Sequence, residues 1–149
     1  AAQGWKCKVE GQNHFRVTGT TCVLAGKPDI VARKETRVKV LDCKTGAPQD
    51  KHGVQVATYM IALPLAWQTQ KLADFIEGEV VYASHSVKVP VESVGPIRPQ
   101  LFNLLKRLAS DVRPEAVPSE SGCRYCEVTR VDCPQRWTGQ TEPISTTDF

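Results

Sequence analysis

The chain has 149 residues, 41% of them hydrophobic, and a formal net charge of +3. That is the length and apolar content of one domain with a single core, and no apolar stretch approaches the length needed to span a bilayer. No charged-then-apolar leader opens the chain, so a cytoplasmic location is expected, and the weak positive balance neither establishes nor opposes a nucleic-acid partner.

In chain order, residues 5 to 10 and 14 to 18 are expected as short strands divided by the turn-forming triplet Gly11-Gln12-Asn13. Residues 22 to 32 and 37 to 43 are rich in β-branched and apolar residues and are expected to pair as a hairpin around Lys34-Glu35-Thr36. A helix is expected from about His52 to Trp67, with Pro64 ending or kinking it. Strands are expected over 79 to 83 and 86 to 91, the second alternating Val87, Val89 and Val91 against Ser86, Lys88 and Pro90. Ile97, Leu101, Leu104, Leu105 and Leu108 then repeat at helical spacing, which predicts a helix lying against the sheet. Pro114 and Pro118 lead into a cysteine-bearing tail. This order gives an α/β (α+β) fold, a single domain with a core over 1–113 and a tail over 114–149 packed on it. The chain opens at Ala1, so it reads as a processed form or a piece of something longer.

Three residues near the first strands carry chemistry. Side chains alternate along a strand, so Asp42 and Lys44 share a face while Cys43 points to the other. With Asp29 at the same level of a neighbouring strand, two carboxylates and one ammonium would converge on a small volume and bind a hard divalent cation. The competing reading is a bend-forming Asp29 beside a solvated pair at a strand end, a pair of little energetic weight. His52, Gln55 and Tyr59, spaced by three and four, stack on one helical face suited to phosphate contact.

Cys123, Cys126 and Cys133 form a compact trio. Thiols at this spacing in a cytoplasmic chain point to a metal rather than to disulfides, and four thiolates satisfy either an iron–sulfur cluster or a tetrahedral Zn²⁺ site. Sequence alone does not separate iron from zinc.

Gly26-x-Pro28-Asp29, then Asp42-x-Lys44-Thr45-Gly46, then Gln55-x-x-x-Tyr59, resembles the PD-(D/E)-x-K nuclease superfamily. The Thr-Gly and Gln-x-x-x-Tyr elements resemble its RecB-like exonuclease branch. The resemblance implies a restriction-endonuclease-like mixed central sheet flanked by helices, acting as a Mg²⁺- or Mn²⁺-dependent deoxyribonuclease. Asp29, Asp42 and the backbone carbonyl of Cys43 would hold the metal, and Lys44 would orient or help deprotonate a water. Gln55 and Tyr59 would support catalysis and, with His52, contact DNA. The tail trio is similar to that of the CRISPR-associated adaptation nucleases and AddB-type helicase-nucleases, where one upstream cysteine completes a [4Fe-4S] cluster. Cys7 is the choice here, with Cys22 and Cys43 as the other upstream cysteines. The implied partners are single-stranded DNA or duplex ends and a helicase or recombination protein, with no membrane. The chain departs from the family pattern before residue 22, where no helix completing the metal site is expected and Glu10 and His14 are the nearby candidates. A second reading is therefore a catalytically weak or silent DNA-binding module of the same fold.

Overall fold

The computed structural model describes residues 4–67, 76–112 and 115–139. The chain divides into two compact units, Ala1–Ser110 and Asp111–Phe149. The start of the expected tail at Pro114 and everything beyond residue 139 lie outside the described residues.

The first unit is built on a five-stranded mixed sheet. Its strands are β1 (Lys6–Val9), β4 (Ile30–Lys34), β5 (Arg37–Lys44), β6 (Ile76–Tyr82) and β7 (Ser86–Val89), in the spatial order β1-β4-β5-β6-β7. Only β5 and β6 run parallel, with Asp42 opposite Val80 and Lys44 opposite Tyr82. The crossover between them contains helix α1 (Asp50–Ala66), as a parallel connection requires. A separate ribbon pairs β2 (Phe15–Thr18) with β3 (Val23–Gly26).

The expected hairpin over 22 to 32 and 37 to 43 is only half right. The first segment breaks at Lys27-Pro28-Asp29: β3 pairs with β2 in the ribbon, and β4 alone forms the hairpin with β5. Pro28 offers no N–H to a ladder, so the chain can change sheets there. The hairpin turns at Glu35-Thr36, and Glu35 takes a φ of 53°, the left-handed conformation that two-residue hairpin loops demand. Likewise the two N-terminal strands do not pair with each other, because β1 joins the edge of the main sheet beside β4 and a 3-10 turn at Glu10–Gln12 separates it from β2.

On β5 the alternation is clean: Val38, Val40 and Asp42 are buried while Arg37 and Cys43 are exposed. The buried face is covered by α1, whose Val56, Ala57, Met60, Ile61 and Leu63 are all buried. Gly78 of β6 permits this contact, since a Cβ there would lie 2.5 Å from Val56 Cγ1 and 2.6 Å from Met60 Sδ. Pro64 sits within the last turn of α1 without ending it, and the helix runs to Ala66. Helix α2 (Val94–Leu108) presents Val94, Ile97 and Leu101 to the core, but its main neighbour is α1 rather than the sheet, and Leu104 and Leu108 are exposed.

In the second unit a short helix, α3 (Glu120–Arg124), is capped by Ser119, whose Oγ accepts from the Gly122 N–H. The Arg136 guanidinium donates to the carbonyl oxygens of Cys123 at 2.6 Å, Cys126 at 2.9 Å and Val128 at 2.5 Å, tying the turns of this unit together.

Candidate active site

The carboxyl ends of β5 and β6 meet the bend before β4 and the N-terminal half of α1. Asp29, half-buried one residue ahead of β4, extends its carboxylate over the end of β5, where Oδ2 accepts the Cys43 backbone N–H at 2.7 Å. Continuing the β4–β5 register one step beyond Ile30 opposite Leu41 sets Asp29 beside Asp42. A residue's N–H and C=O point to the same edge of an extended strand, so the Cys43 carbonyl also faces Asp29.

Asp42 is 2% exposed. Its Oδ2 lies 2.6 Å from Lys44 Nζ, an ion-pair contact, yet at an angle that leaves this buried oxygen without a hydrogen bond. The Lys44 ammonium offsets the charge on this oxygen, and because a carboxylate oxygen can accept more than one partner the group is paired without being saturated. The Asp42 carboxylate pushes the Lys44 ammonium above the ordinary lysine value; partial burial opposes, and Asp29 and Tyr59 add to the rise. One cation thus feels both carboxylates.

Gln55 and Tyr59 are half-buried on α1, and Gln55 Nε2 donates to the Tyr59 hydroxyl at 3.0 Å. The Tyr59 ring meets Phe15 edge-on, with centroids 6.0 Å apart. Gly26 makes room for that pair: a Cβ there would stand 2.6 Å from Phe15 ring atoms and 3.2 Å from Tyr59. His52 belongs to the buried set of α1 instead, its Nδ1 2.9 Å from the Tyr82 hydroxyl. Tyr82 is the register partner of Lys44 on the neighbouring strand.

Two contributors were not foreseen from sequence. Asn13, 5% exposed, donates from Nδ2 to the carbonyl oxygens of Lys8 at 2.8 Å and of Pro28 and Asp29 at 3.3 Å, fixing the bend that aims Asp29. The only sequence signal was its place in a turn triplet. Tyr82 gave no signal, because its partner His52 is thirty residues away. Of the upstream candidates, Glu10 is engaged by Lys27 at 2.5 Å, and His14 lines a cavity with Lys6, Lys8 and Arg33.

The fit to a hard divalent cation rests on this donor set: two carboxylates, one with a buried oxygen that lacks a hydrogen bond, and a carbonyl facing them. The thiols fit a metal less well. Cys7 is exposed on β1; Cys123 and Cys133 are half-buried and Cys126 is exposed, and among the described residues no three His, Cys, Asp or Glu side chains are gathered as a metal cage. Cys123 Sγ does accept the Trp137 N–H at 3.4 Å.

A profile of the PD-(D/E)XK nuclease superfamily matches residues 3–134. None of the curated proteins compared with the chain matches it. A solved structure described as the crystal structure of SSO0001 is 14% identical to it, with a TM-score of 0.42 over 89% of this chain and 62% of that one, so this chain spans less than two thirds of that structure's length. The mixed five-stranded sheet flanked by helices agrees with a restriction-endonuclease-like architecture. With the match covering most of its length, the chain belongs to the PD-(D/E)XK nuclease superfamily.

Proposed function

We propose that this protein hydrolyses phosphodiester bonds in DNA with Mg²⁺ or Mn²⁺ held by Asp29, Asp42 and the Cys43 carbonyl. The observation that supports this most is the convergence of two carboxylates at one strand end, Asp42 buried with the Lys44 ammonium on its Oδ2 and Asp29 reaching the Cys43 N–H between them. A cation bound there supplies Lewis-acid polarisation of the scissile phosphate and a water of lowered pKa. Lys44, cationic beside Asp42, places positive charge where negative charge develops and orients the attacking water. Gln55 fixes the Tyr59 hydroxyl, and the two together position the substrate strand; His52 pairs with the hydroxyl of Tyr82, which stands opposite Lys44 in the strand register.

The Thr45-Gly46 and Gln55-x-x-x-Tyr59 elements support an exonuclease of the RecB-like branch, working on DNA ends inside the cell. For the cysteines, the spacing of Cys123, Cys126 and Cys133 within the second unit and the N–H aimed at Cys123 Sγ support an iron–sulfur or zinc site, although among the described residues the thiols are not gathered as a cage. Iron and zinc analysis of the purified protein, beside the Cys126→Ser variant, tests that assignment.

The test of the activity is degradation of labelled single- and double-stranded DNA, linear and circular, in Mn²⁺. Wild type is expected to degrade linear substrates, with Lys44→Ala slower by about a hundredfold or more while still binding them. Background-level signals from both proteins would refute the enzyme and favour the silent binding module.

A further inference from the structure

A second feature lies on the same sheet face as Asp42. Val38, Val40 and Asp42 occupy one face of β5; across the register, Arg33 stands opposite Val38 and Val31 opposite Val40, and on β1 Lys6 stands opposite Arg33 and Lys8 opposite Val31. Of these, Lys6, Lys8, Val31 and Arg33 border a cavity of about 230 Å³, whose other wall is Leu63 and Trp67 at the end of α1. The Arg33 guanidinium lies over the Trp67 ring, 3.7 Å from its centroid. Asn13 lines the same cavity and also holds the Asp29 carbonyl, so the wall of the cavity and the bend of the candidate metal centre share one side chain.

Some cations elsewhere in this unit are paired with carboxylates. On the opposite face Arg37 and Lys39 are paired with Glu77, and near the bend Lys27 is paired with Glu10. Among the described residues, Lys6, Lys8 and Arg33 have no carboxylate within ion-pair distance. Three exposed cations around one concavity, with no carboxylate at ion-pair distance among the described residues and a stacked guanidinium and indole on the wall, have the makeup of a single-strand nucleic-acid site: charge for the backbone and a flat plate for bases. Four residues of strand separate Asp42 from the level of Arg33, about 13 Å. The cavity is smaller than those that enclose a drug-sized ligand, so it takes a unit of one strand rather than a duplex.

We propose that this cavity binds the unbroken part of a polynucleotide single strand next to the candidate metal centre, with Lys6, Lys8 and Arg33 on its phosphates and the Arg33–Trp67 stack against a base. The inference rests on the nuclease reading for the identity of the ligand, and it adds the strand's path. The test is fluorescence anisotropy of a short labelled oligothymidylate with the full chain in EDTA, across a range of salt. Replacing all three cations, Lys6→Gln, Lys8→Gln and Arg33→Gln, is expected to weaken binding at least about tenfold and to lower the slope of log affinity against log salt by about 2, the release expected for three single-strand phosphate contacts. The matched triple on the other face, Arg37→Gln, Lys39→Gln and Lys88→Gln, is expected to change the slope far less. Arg33→Lys, which keeps the charge and loses the flat stack, is expected to keep the slope and lose several-fold in affinity.

Equal loss from the two triples, or none from the first, overturns the proposal. Should the first triple lose strand binding in a protein that cuts nothing in Mn²⁺, the strand site stands and the nuclease reading fails. Cleavage with strand binding untouched by the first triple has the reverse meaning.

Discussion

Asp29 Oδ2 and the backbone N–H of Cys43 are joined by a 2.7 Å hydrogen bond, which fixes one strand's carboxylate against the residue separating Asp42 from Lys44 on the next. The bond prepositions Asp29 before any ion arrives, while Asp42 has the Lys44 ammonium as its ion-pair partner.

Neutralising Asp42 should therefore separate stability from metal binding. In EDTA, Asp42→Asn is expected to shift the melting temperature little, because losing the pair with Lys44 offsets removing the buried charge and half-buried Lys44 can be solvated. Mn²⁺ at about a hundred times its Kd should add about 2.7 kcal/mol to wild type and almost nothing to the variant. Thermal melts with and without Mn²⁺ check this, and an equal rise in both proteins contradicts it.

Asn13 should matter more than a turn residue ordinarily does. Asn13→Ala leaves three carbonyl oxygens short of a donor and is expected to cost about 1–3 kcal/mol in urea unfolding. Asn13→Asp, which points an acceptor at the same oxygens, should cost more; a milder effect from Asp than from Ala would show that the amide does not hold the bend.

Gly26→Ala should damage the site from behind. The added Cβ meets the Phe15 ring at 2.6 Å and presses on Tyr59, so a loss of about 1–3 kcal/mol is expected together with a drop in cleavage. Adding Phe15→Leu should recover part of both, and a double variant no better than Gly26→Ala would place the strain elsewhere.

The Cys43 thiol reports on the same field. Loss of hydration around the sulfur, then the charges of Asp29 and Asp42, push its pKa up, with Lys44 opposing. A raised thiol pKa means less thiolate at mildly alkaline pH and slower alkylation. In EDTA at such a pH, Asp29→Asn is expected to speed alkylation of Cys43, followed by peptide mass spectrometry. An unchanged rate would mean that the carboxylate's field does not reach the sulfur.

How far the sequence could carry this picture depended on whether the determining contacts were local. Asp42 and Lys44 fall two apart on a strand, so their shared face followed from alternation alone, and the helix carrying Gln55 and Tyr59 followed from its spacing. Sheet choice was not local: residues 22 to 32 read as one strand because an apolar β-branched run looks the same whether it pairs with β2 or with β5, and only Pro28 marked the change. His52 was placed with Gln55 and Tyr59 by spacing, but its hydrogen bond to Tyr82 draws it into the buried side of α1. Leu104 and Leu108 sit on an apolar helical stripe that is wider than the surface α1 covers.

The claim on which the rest depends is that Asp29 and Asp42 share one cation. Isothermal titration of Mn²⁺ into the metal-free protein tests it most directly, with wild type beside Asp29→Asn and Asp42→Asn. One ion per chain at this centre in wild type, abolished or weakened at least about tenfold by either substitution, is the expected result; binding that survives both substitutions unchanged would contradict the account.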